Sequence, residues 1–236
     1  MADLDHRAVL FARLRQGLGV SGEEPARRRA VDERLAQHAR NLVPQRGQIE
    51  RSARIALFRT MAEGVHATVA EADGPAAVPA LIADYLRQQN LPSRIRHGAD
   101  RLLSEMPWRD GAPTVERLSG RAEPTDEVSV SRAAAGVAES GTLVLLSGPD
   151  NPTTLNFLPE THIAVILGDD IVGSYEDVFD RVRHAYGTGQ MPRTLNMITG
   201  PSRTGDIEQR LELGAHGPKR LHIIIVNSRE PTGDHP

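Results

Sequence analysis

The chain has 236 residues, with 28 basic and 31 acidic side chains and a formal net charge of −3, which argues against a nucleic-acid-binding protein. No apolar stretch approaches the roughly 20 residues that a bilayer-spanning helix needs, and the N-terminus lacks an apolar signal core, so we expect a cytoplasmic protein. The absence of cysteine excludes thiol catalysis, disulfides and a thiolate-bound iron–sulfur cluster.

Several cofactor and metal motifs are missing. The single lysine, Lys219, follows His-Gly-Pro rather than the glycine of a Walker A loop, and a Gly-x-Gly-x-x-Gly dinucleotide fingerprint is absent. The nine histidines are scattered and form no His-Glu-x-x-His motif, so we predict no metal site. We therefore expect no cofactor in this chain.

The first part of the chain is predicted to be a helical extension, residues 1–48. Apolar residues from Leu4 to Leu18 recur at helical spacing and form a face to bury, and Gly19 marks the end of that helix. A polar helix and loop follow. The segment from Arg27 to Arg59 contains nine arginines and could bind an acidic partner or nucleic acid, but it lacks the interleaved aromatic residues that stack on bases, which favours a solvated helix face.

An α/β domain is predicted for residues 49–228, with a tail over 229–236. Its first half reads as helix 49–61, strand 67–70, helix 78–86 and strand 93–96. Prolines and glycines dominate from Met106 to Pro124, which predicts loops and a short edge strand. Trp108 in this segment is predicted to be a packed structural residue rather than a functional one.

The middle of the domain carries a candidate catalytic carboxylate. Val128 to Ser131 reads as a strand, the small residues 133–138 as a helix, and Leu143 to Leu146 as a second strand after a glycine turn. Glu139 would stand at the end of the helix and the mouth of the sheet. It is either an acid, base or nucleophile, or a plain surface residue.

The segment from Thr194 to Val226 has the most informative composition. It predicts a βαβ unit: strand 194–199, a tight turn, a helix from Ile207 to Leu213, and the central parallel strand Leu221–Val226. The N-terminus of a helix attracts anions. The predicted helix is preceded by two glycines, two hydroxyl residues and an arginine, namely Gly200, Ser202, Arg203, Thr204 and Gly205. Alternatively Ser202 or Thr204 merely caps the helix. The predicted ligand-binding residues are Gly141, Thr142, Gly200, Ser202, Arg203, Thr204, Asp206 and His216.

Four short motifs resemble the lactate-utilization (LUD) domain family. They are Ala138-Glu139-Ser140-Gly141-Thr142, Leu158-Pro159 followed by His162, Thr199 to Glu208, and His216-Gly217-Pro218. The resemblance covers roughly Ile49 to Val226. Ser140 replaces the usual threonine and Gly205 the usual alanine. These two differences leave the family resemblance intact and concern the details of ligand binding.

The resemblance implies a parallel or mixed sheet flanked by helices, similar to the fold of sugar-phosphate isomerases and CoA-transferases. It also implies a role with two iron–sulfur partner proteins in oxidising L-lactate to pyruvate. A chain without cysteine suits a non-redox subunit that binds a small anionic ligand while its partners carry the electrons.

Other functions stay open on the sequence. The chain could be a free-standing isomerase or CoA-transferase-like enzyme acting on a phosphorylated or CoA-linked metabolite, or an assembly or regulatory module. The sequence is compatible with a monomer and with a homo-oligomer.

Overall fold

The computed structural model describes residues 5–187, 189–207 and 210–227. The predicted tail over 229–236 lies outside the described residues. The chain divides into two compact units, 1–42 and 43–236, which are considered separately. No helix within the described ranges is long and apolar enough to cross a membrane.

The first unit contains two helices, α1 (His6–Leu18) and α2 (Pro25–Gln37). Asp5 caps α1 by accepting hydrogen bonds from the backbone N–H groups of Arg7 and Ala8, and Gly19 ends the helix with a φ of 64°. Within this unit the large apolar side chains of α1 are exposed, so the apolar face that the sequence predicts is not buried by α2.

The second unit begins with α3 (Arg51–Gly64) and alternates helices with strands. The elements that follow are β1 (Thr68–Ala72), α4 (Val78–Gln88), β2 (Arg94–His97), α5 (Arg101–Glu105), α6 (Trp108–Gly111), β3 (Glu116–Ser119), β4 (Val128–Arg132), β5 (Ala135–Val137), β6 (Thr142–Leu146), α7 (Thr154–Phe157), β7 (Thr161–Leu167), β8 (Ile171–Val172), α8 (Tyr175–Tyr186), β9 (Leu195–Ile198), β10 (Arg203–Ile207), β11 (Arg210–Leu213) and β12 (Arg220–Val226).

The main sheet has six parallel strands in the order β1-β12-β7-β4-β2-β3. Strands β7 and β12 lie at its centre and are almost continuously buried, as their unbroken apolar runs predict. The predicted α/β fold, a parallel sheet flanked by helices, is confirmed.

One face of this sheet packs against α4, α5 and α6. Their apolar side chains form a single core with the strand residues that point to that face, including Ile163 and Ile224. His222 of β12 lies in this layer, and its ring stacks on Tyr85 of α4 with centroids 4.0 Å apart. Trp108 is buried in the same core, as predicted.

The other face packs against α3 and a second sheet of four strands in the order β8-β5-β6-β9. Gly136 of β5 lies between Phe58 of α3 and Ile166 of β7; a Cβ there would be 2.7 Å from the Ile166 Cδ1 atom. Helix α8 covers the far face of the second sheet through Val178 and Val182.

Two predicted helices and the predicted βαβ unit are wrong. Residues 133–138 contain strand β5 instead of a helix, because small side chains are needed where two sheets approach each other. Residues 203–207 and 210–213, which include the described part of the second predicted helix, form the antiparallel strands β10 and β11. Strand β9 pairs antiparallel with β6 in the second sheet, while β12 belongs to the main sheet, so they share no βαβ unit.

Candidate functional site

The turn after β9 brings two of the sequence motifs together. Gly200 has a φ of +74°, and a Cβ there would lie 2.4 Å from the carbonyl oxygen of Val65, so only glycine fits without strain. The Ser202 backbone N–H donates to the Pro218 carbonyl (2.9 Å), and its Oγ accepts from the His216 backbone N–H (3.3 Å). These bonds fix residues 199–202 against the turn at 214–218.

The turn between β5 and β6 holds the candidate carboxylate. Glu139 is only 5% exposed, and its backbone N–H donates to the Gly173 carbonyl. It therefore lies in a β-turn and not at a helix end, which corrects the predicted setting. Gly141 of the same turn has a φ of +67°, and a Cβ there would lie 2.4 Å from the Ala62 nitrogen.

Four hydroxyl groups connect the two turns. Ser140, Thr142 and Tyr175 form a closed ring of contacts of 2.8 to 2.9 Å, and Thr142 Oγ1 also lies 2.7 Å from Thr199 Oγ1. Four hydroxyls supply one hydrogen each. The three contacts of the ring use the hydrogens of Ser140, Thr142 and Tyr175, so Thr199 must donate its hydrogen in the contact with Thr142. Thr199 then presents only lone pairs to other groups.

A cavity of about 220 Å³ opens beside this network. Its polar lining residues are Thr199, Ser202, His216, Asn156 of α7 and His162 of β7. The remaining lining residues are Phe157, Met197, Ile198, Gly200, Pro201, Gly217, Pro218 and Leu221.

Two side chains of the cavity wall are fully buried and only partly satisfied. The Nε2 atom of His162 lies 2.5 Å from Ser131 Oγ, which is also 3.4 Å from the Asn156 Oδ1 atom. Within the described part of the chain, the other polar atoms, His162 Nδ1 and Asn156 Nδ2, have no hydrogen-bonding partner. Because an unmet buried polar atom is costly, these atoms favour a bound polar molecule.

Burial also fixes the charge of the histidine. Complete desolvation lowers the pKa of His162 to about 4, so its imidazole is neutral at pH 7. A neutral ring carries one N–H. Ser131 has one hydroxyl hydrogen, which it donates to the Asn156 Oδ1 atom, so the ring hydrogen of His162 is on Nε2 and Nδ1 is an acceptor.

The predicted ligand-binding residues are distributed unevenly around the cavity. Gly200, Ser202 and His216 line it, and Thr142 reaches it through Thr199. Other predicted residues do not line it: Gly141 shapes the neighbouring turn, Glu139 is buried in that turn, and Arg203 and Thr204 begin strand β10. The side chain of Asp206 lies outside the described part of the structure.

Two polar residues of the cavity region, His162 and Ser131, were not predicted as site residues, because each lies in a strand pattern typical of the core. Asn156 belongs to the polar loop 147–159, whose amide and hydroxyl side chains could line a ligand site or form turns. Among the described residues, no group of three or more His, Asp or Glu side chains could hold a metal ion.

Comparison with known proteins finds a family model that matches part of the chain. Residues 121–226 match the model of the LUD domain. Proteins named lactate utilization protein C are similar: 40% identity over 94 residues for Geobacillus sp. (strain WCH70), covering 39% of each chain, and 35% over 123 residues for Bacillus subtilis (strain 168), covering 52% of this chain and 51% of the other. The chain therefore spans about half or less of the length of these relatives.

A solved structure supports the fold. A DUF162 family protein from Deinococcus radiodurans superimposes with a TM-score of 0.58 at 23% identity, covering 75% of this chain and 99% of the other. At this identity the likeness concerns the fold alone. The resemblance predicted from the four motifs is confirmed by the family match and by the similar proteins.

Proposed function

We propose that this chain, which carries a LUD domain over residues 121–226, takes part in lactate utilization as a non-redox subunit that binds L-lactate. The observation that carries the proposal is the cavity in which buried His162 and Asn156 have unpartnered polar atoms. Similarity to proteins named lactate utilization protein C supports the pathway.

The cavity's hydrogen-bonding pattern fits a small hydroxy acid. The carboxylate would accept from the Asn156 amide, and the hydroxyl would donate to a lone pair of Thr199 or of His162 Nδ1. The methyl group would pack against the apolar wall, which includes Ile198 and Leu221. Pyruvate lacks the hydroxyl hydrogen, so the lone pairs of Thr199 would face the lone pairs of the pyruvate keto oxygen, which is unfavourable. We therefore expect L-lactate to bind more tightly than pyruvate.

Electron transfer would belong to other proteins. The 236 residues contain no cysteine to ligate an iron–sulfur cluster, and no dinucleotide fingerprint. Lactate oxidation to pyruvate releases two electrons and two protons, and we propose that the two iron–sulfur partner proteins that the family resemblance implies accept the electrons. The roles of Glu139 as an acid or base and of Arg203 as an anion ligand stay predictions.

The test combines copurification with site variants. The tagged chain is purified from lactate-grown cells, its partners are identified by mass spectrometry, and L-lactate-dependent dye reduction is measured. Asn156→Leu removes the amide donor at similar volume. Gly217→Val narrows the cavity, where a Cβ would meet only ordinary contacts of 3.4 Å or more. Both should reduce lactate binding to the purified chain at least tenfold.

The control variant is His184→Asn, because His184 is exposed on α8 and does not line the cavity. It should keep wild-type binding and growth on lactate. The cavity assignment fails if folded Asn156→Leu and Gly217→Val bind lactate like the wild type. The subunit role fails if the chain elutes without iron–sulfur proteins and without dye reduction.

A further inference from the structure

A second cavity, of about 480 Å³, lies at the carboxyl ends of β2 and β4. Asp100 follows β2, and Arg132 is the last residue of β4. The loop 147–151 and Asp170 close the other sides. The lactate cavity proposed above shares none of these lining residues.

The strand order makes this place a natural crevice. From β2 the chain passes to β3 at one edge of the sheet, whereas from β4 it continues to β7 on the opposite side. The two connections also use opposite faces: Leu103 of α5 packs in the helical layer, and Ala133 packs against the second sheet. Open α/β sheets bind ligands where neighbouring strands diverge in this way.

Buried polar atoms in the crevice lack partners. Asn151 is 7% exposed and its Nδ2 donates to the Leu146 carbonyl, but its Oδ1 has no partner in the described ranges. The same holds for the Nε–H of Arg132, whose terminal nitrogens lie 3.4 Å from Asp170 and 3.8 Å from Asp100. The crevice thus offers one strong donor and several acceptors.

The charges select the kind of ligand. The lining contains three aspartates, at 100, 150 and 170, against Arg132 alone, a net charge of −2; Arg181 outside the lining also pairs with Asp170. A bare anion would meet this negative field, and a bare cation would meet the guanidinium. A vicinal diol suits both, because each hydroxyl donates to a carboxylate or amide oxygen and accepts from the Nε–H group.

We propose that this crevice binds a small uncharged polyol, such as a free sugar. The hydroxyls would donate to Asn151 Oδ1 and the carboxylates of Asp100 and Asp170, and would accept from Arg132. The exposed ring of Tyr186 at the rim offers an apolar surface for the sugar's C–H groups.

The test follows the Arg132 Nε–H signal by NMR in the ¹⁵N-labelled full chain. D-ribose and ribitol are titrated, with inorganic phosphate and L-lactate as anionic probes. We expect saturable shifts with the two polyols in the millimolar range, which is usual for ligands of this size. The anions should cause little shift. An unmoved signal with both polyols, or an equal response to phosphate, would overturn the proposal.

Two variants confirm the location. Ala134 lines the crevice with an exposed side chain, so Ala134→Met should fill space and weaken ribose binding at least tenfold without removing a hydrogen bond. Arg132→Met removes the donor and should also weaken ribose binding at least tenfold. Because this variant lacks the Arg132 signal, its binding is measured from the NMR signal of the Asn151 side-chain amide. The matched control, Arg101→Met, removes an exposed arginine that pairs with Glu105 and should bind as the wild type does. Wild-type affinity in folded Ala134→Met would contradict the site.

Discussion

Two buried histidines should make this protein sensitive to mild acid. Desolvation lowers the pKa values of both His162 and His222 to about 4 from an ordinary 6.5. Both rings are therefore neutral in the folded chain at pH 7. Between pH 6.5 and 4 the unfolded chain binds more protons than the folded one, so the free energy of unfolding falls as the pH falls through this window.

The size of the loss follows from the two pKa values. For one histidine, lowering the pH from 7.5 to 5 costs about 2 kcal/mol, since the unfolded form is then almost fully protonated and the folded form is not. The two together cost about 4 kcal/mol. Domains of this size have total stabilities of about 5 to 15 kcal/mol, so the effect is easily measured.

The assay is urea unfolding followed by circular dichroism at several pH values, with His222→Phe as the perturbation. Phenylalanine keeps a ring to stack on Tyr85, and it removes the Nε2 atom that has no partner in the described part of the chain. It also removes the 2.8 Å contact with Thr68 Oγ1, which shifts stability at every pH. The stability lost between pH 7.5 and 5 should shrink by about 2 kcal/mol.

Carboxylates also contribute to acid unfolding, but the wild type and His222→Phe have the same carboxylates. The difference between their pH-dependent losses of stability therefore reports on His222. The exposed His184 supplies the control: His184→Phe should keep the wild-type dependence on pH. If His222→Phe loses as much stability as the wild type over this range, burial does not hold the ring neutral, and the reasoning is refuted.

Three further predictions concern local geometry. Gly141→Ala should lower the free energy of unfolding by more than about 2 kcal/mol in urea titrations, whereas Gly217→Ala, which meets only ordinary contacts, should stay within about 0.5 kcal/mol. Arg96→Met should cost about 1 to 3 kcal/mol by the same measurement, because the Asp126 carboxylate loses its two-pronged partner and keeps the Glu123 backbone N–H. Tyr175→Phe opens the hydroxyl ring and frees a hydrogen for the cavity, so calorimetry should find a smaller preference for L-lactate over pyruvate; an unchanged preference would contradict the assignment of hydrogens.

Much of the fold was predictable because burial leaves a strong pattern. The continuous apolar runs of β7 and β12 are typical of central parallel strands, and α8 carries an amphipathic stripe and a capping box at Ser174. The prediction failed at residues 133–138, where alanine-rich composition favours a helix locally. These side chains are small because the space between the two sheets is narrow at Gly136. The local sequence pattern gives no sign of this long-range contact.

The candidate site was predictable only where it depends on turns. Gly200 and Ser202 stood out because glycine and hydroxyl residues cluster after an apolar strand. Their predicted helix was wrong, since pairing with β11 overrides the helical spacing of the apolar residues. The contribution of His162 depends on what surrounds it across the sheet, namely Ser131 on β4 and the Asn156 side chain, so it could not be predicted from its neighbours in sequence.

Strand β4 passes from one proposed binding site to the other within a single peptide unit. Ser131 contacts His162 behind the lactate cavity, and the next residue, Arg132, enters the polyol crevice. Consecutive side chains of a strand point to opposite faces, so both ligands would act on the same rigid segment. Thermodynamic reciprocity then applies: if a sugar changes the affinity for lactate by some factor, lactate must change the affinity for the sugar by the same factor.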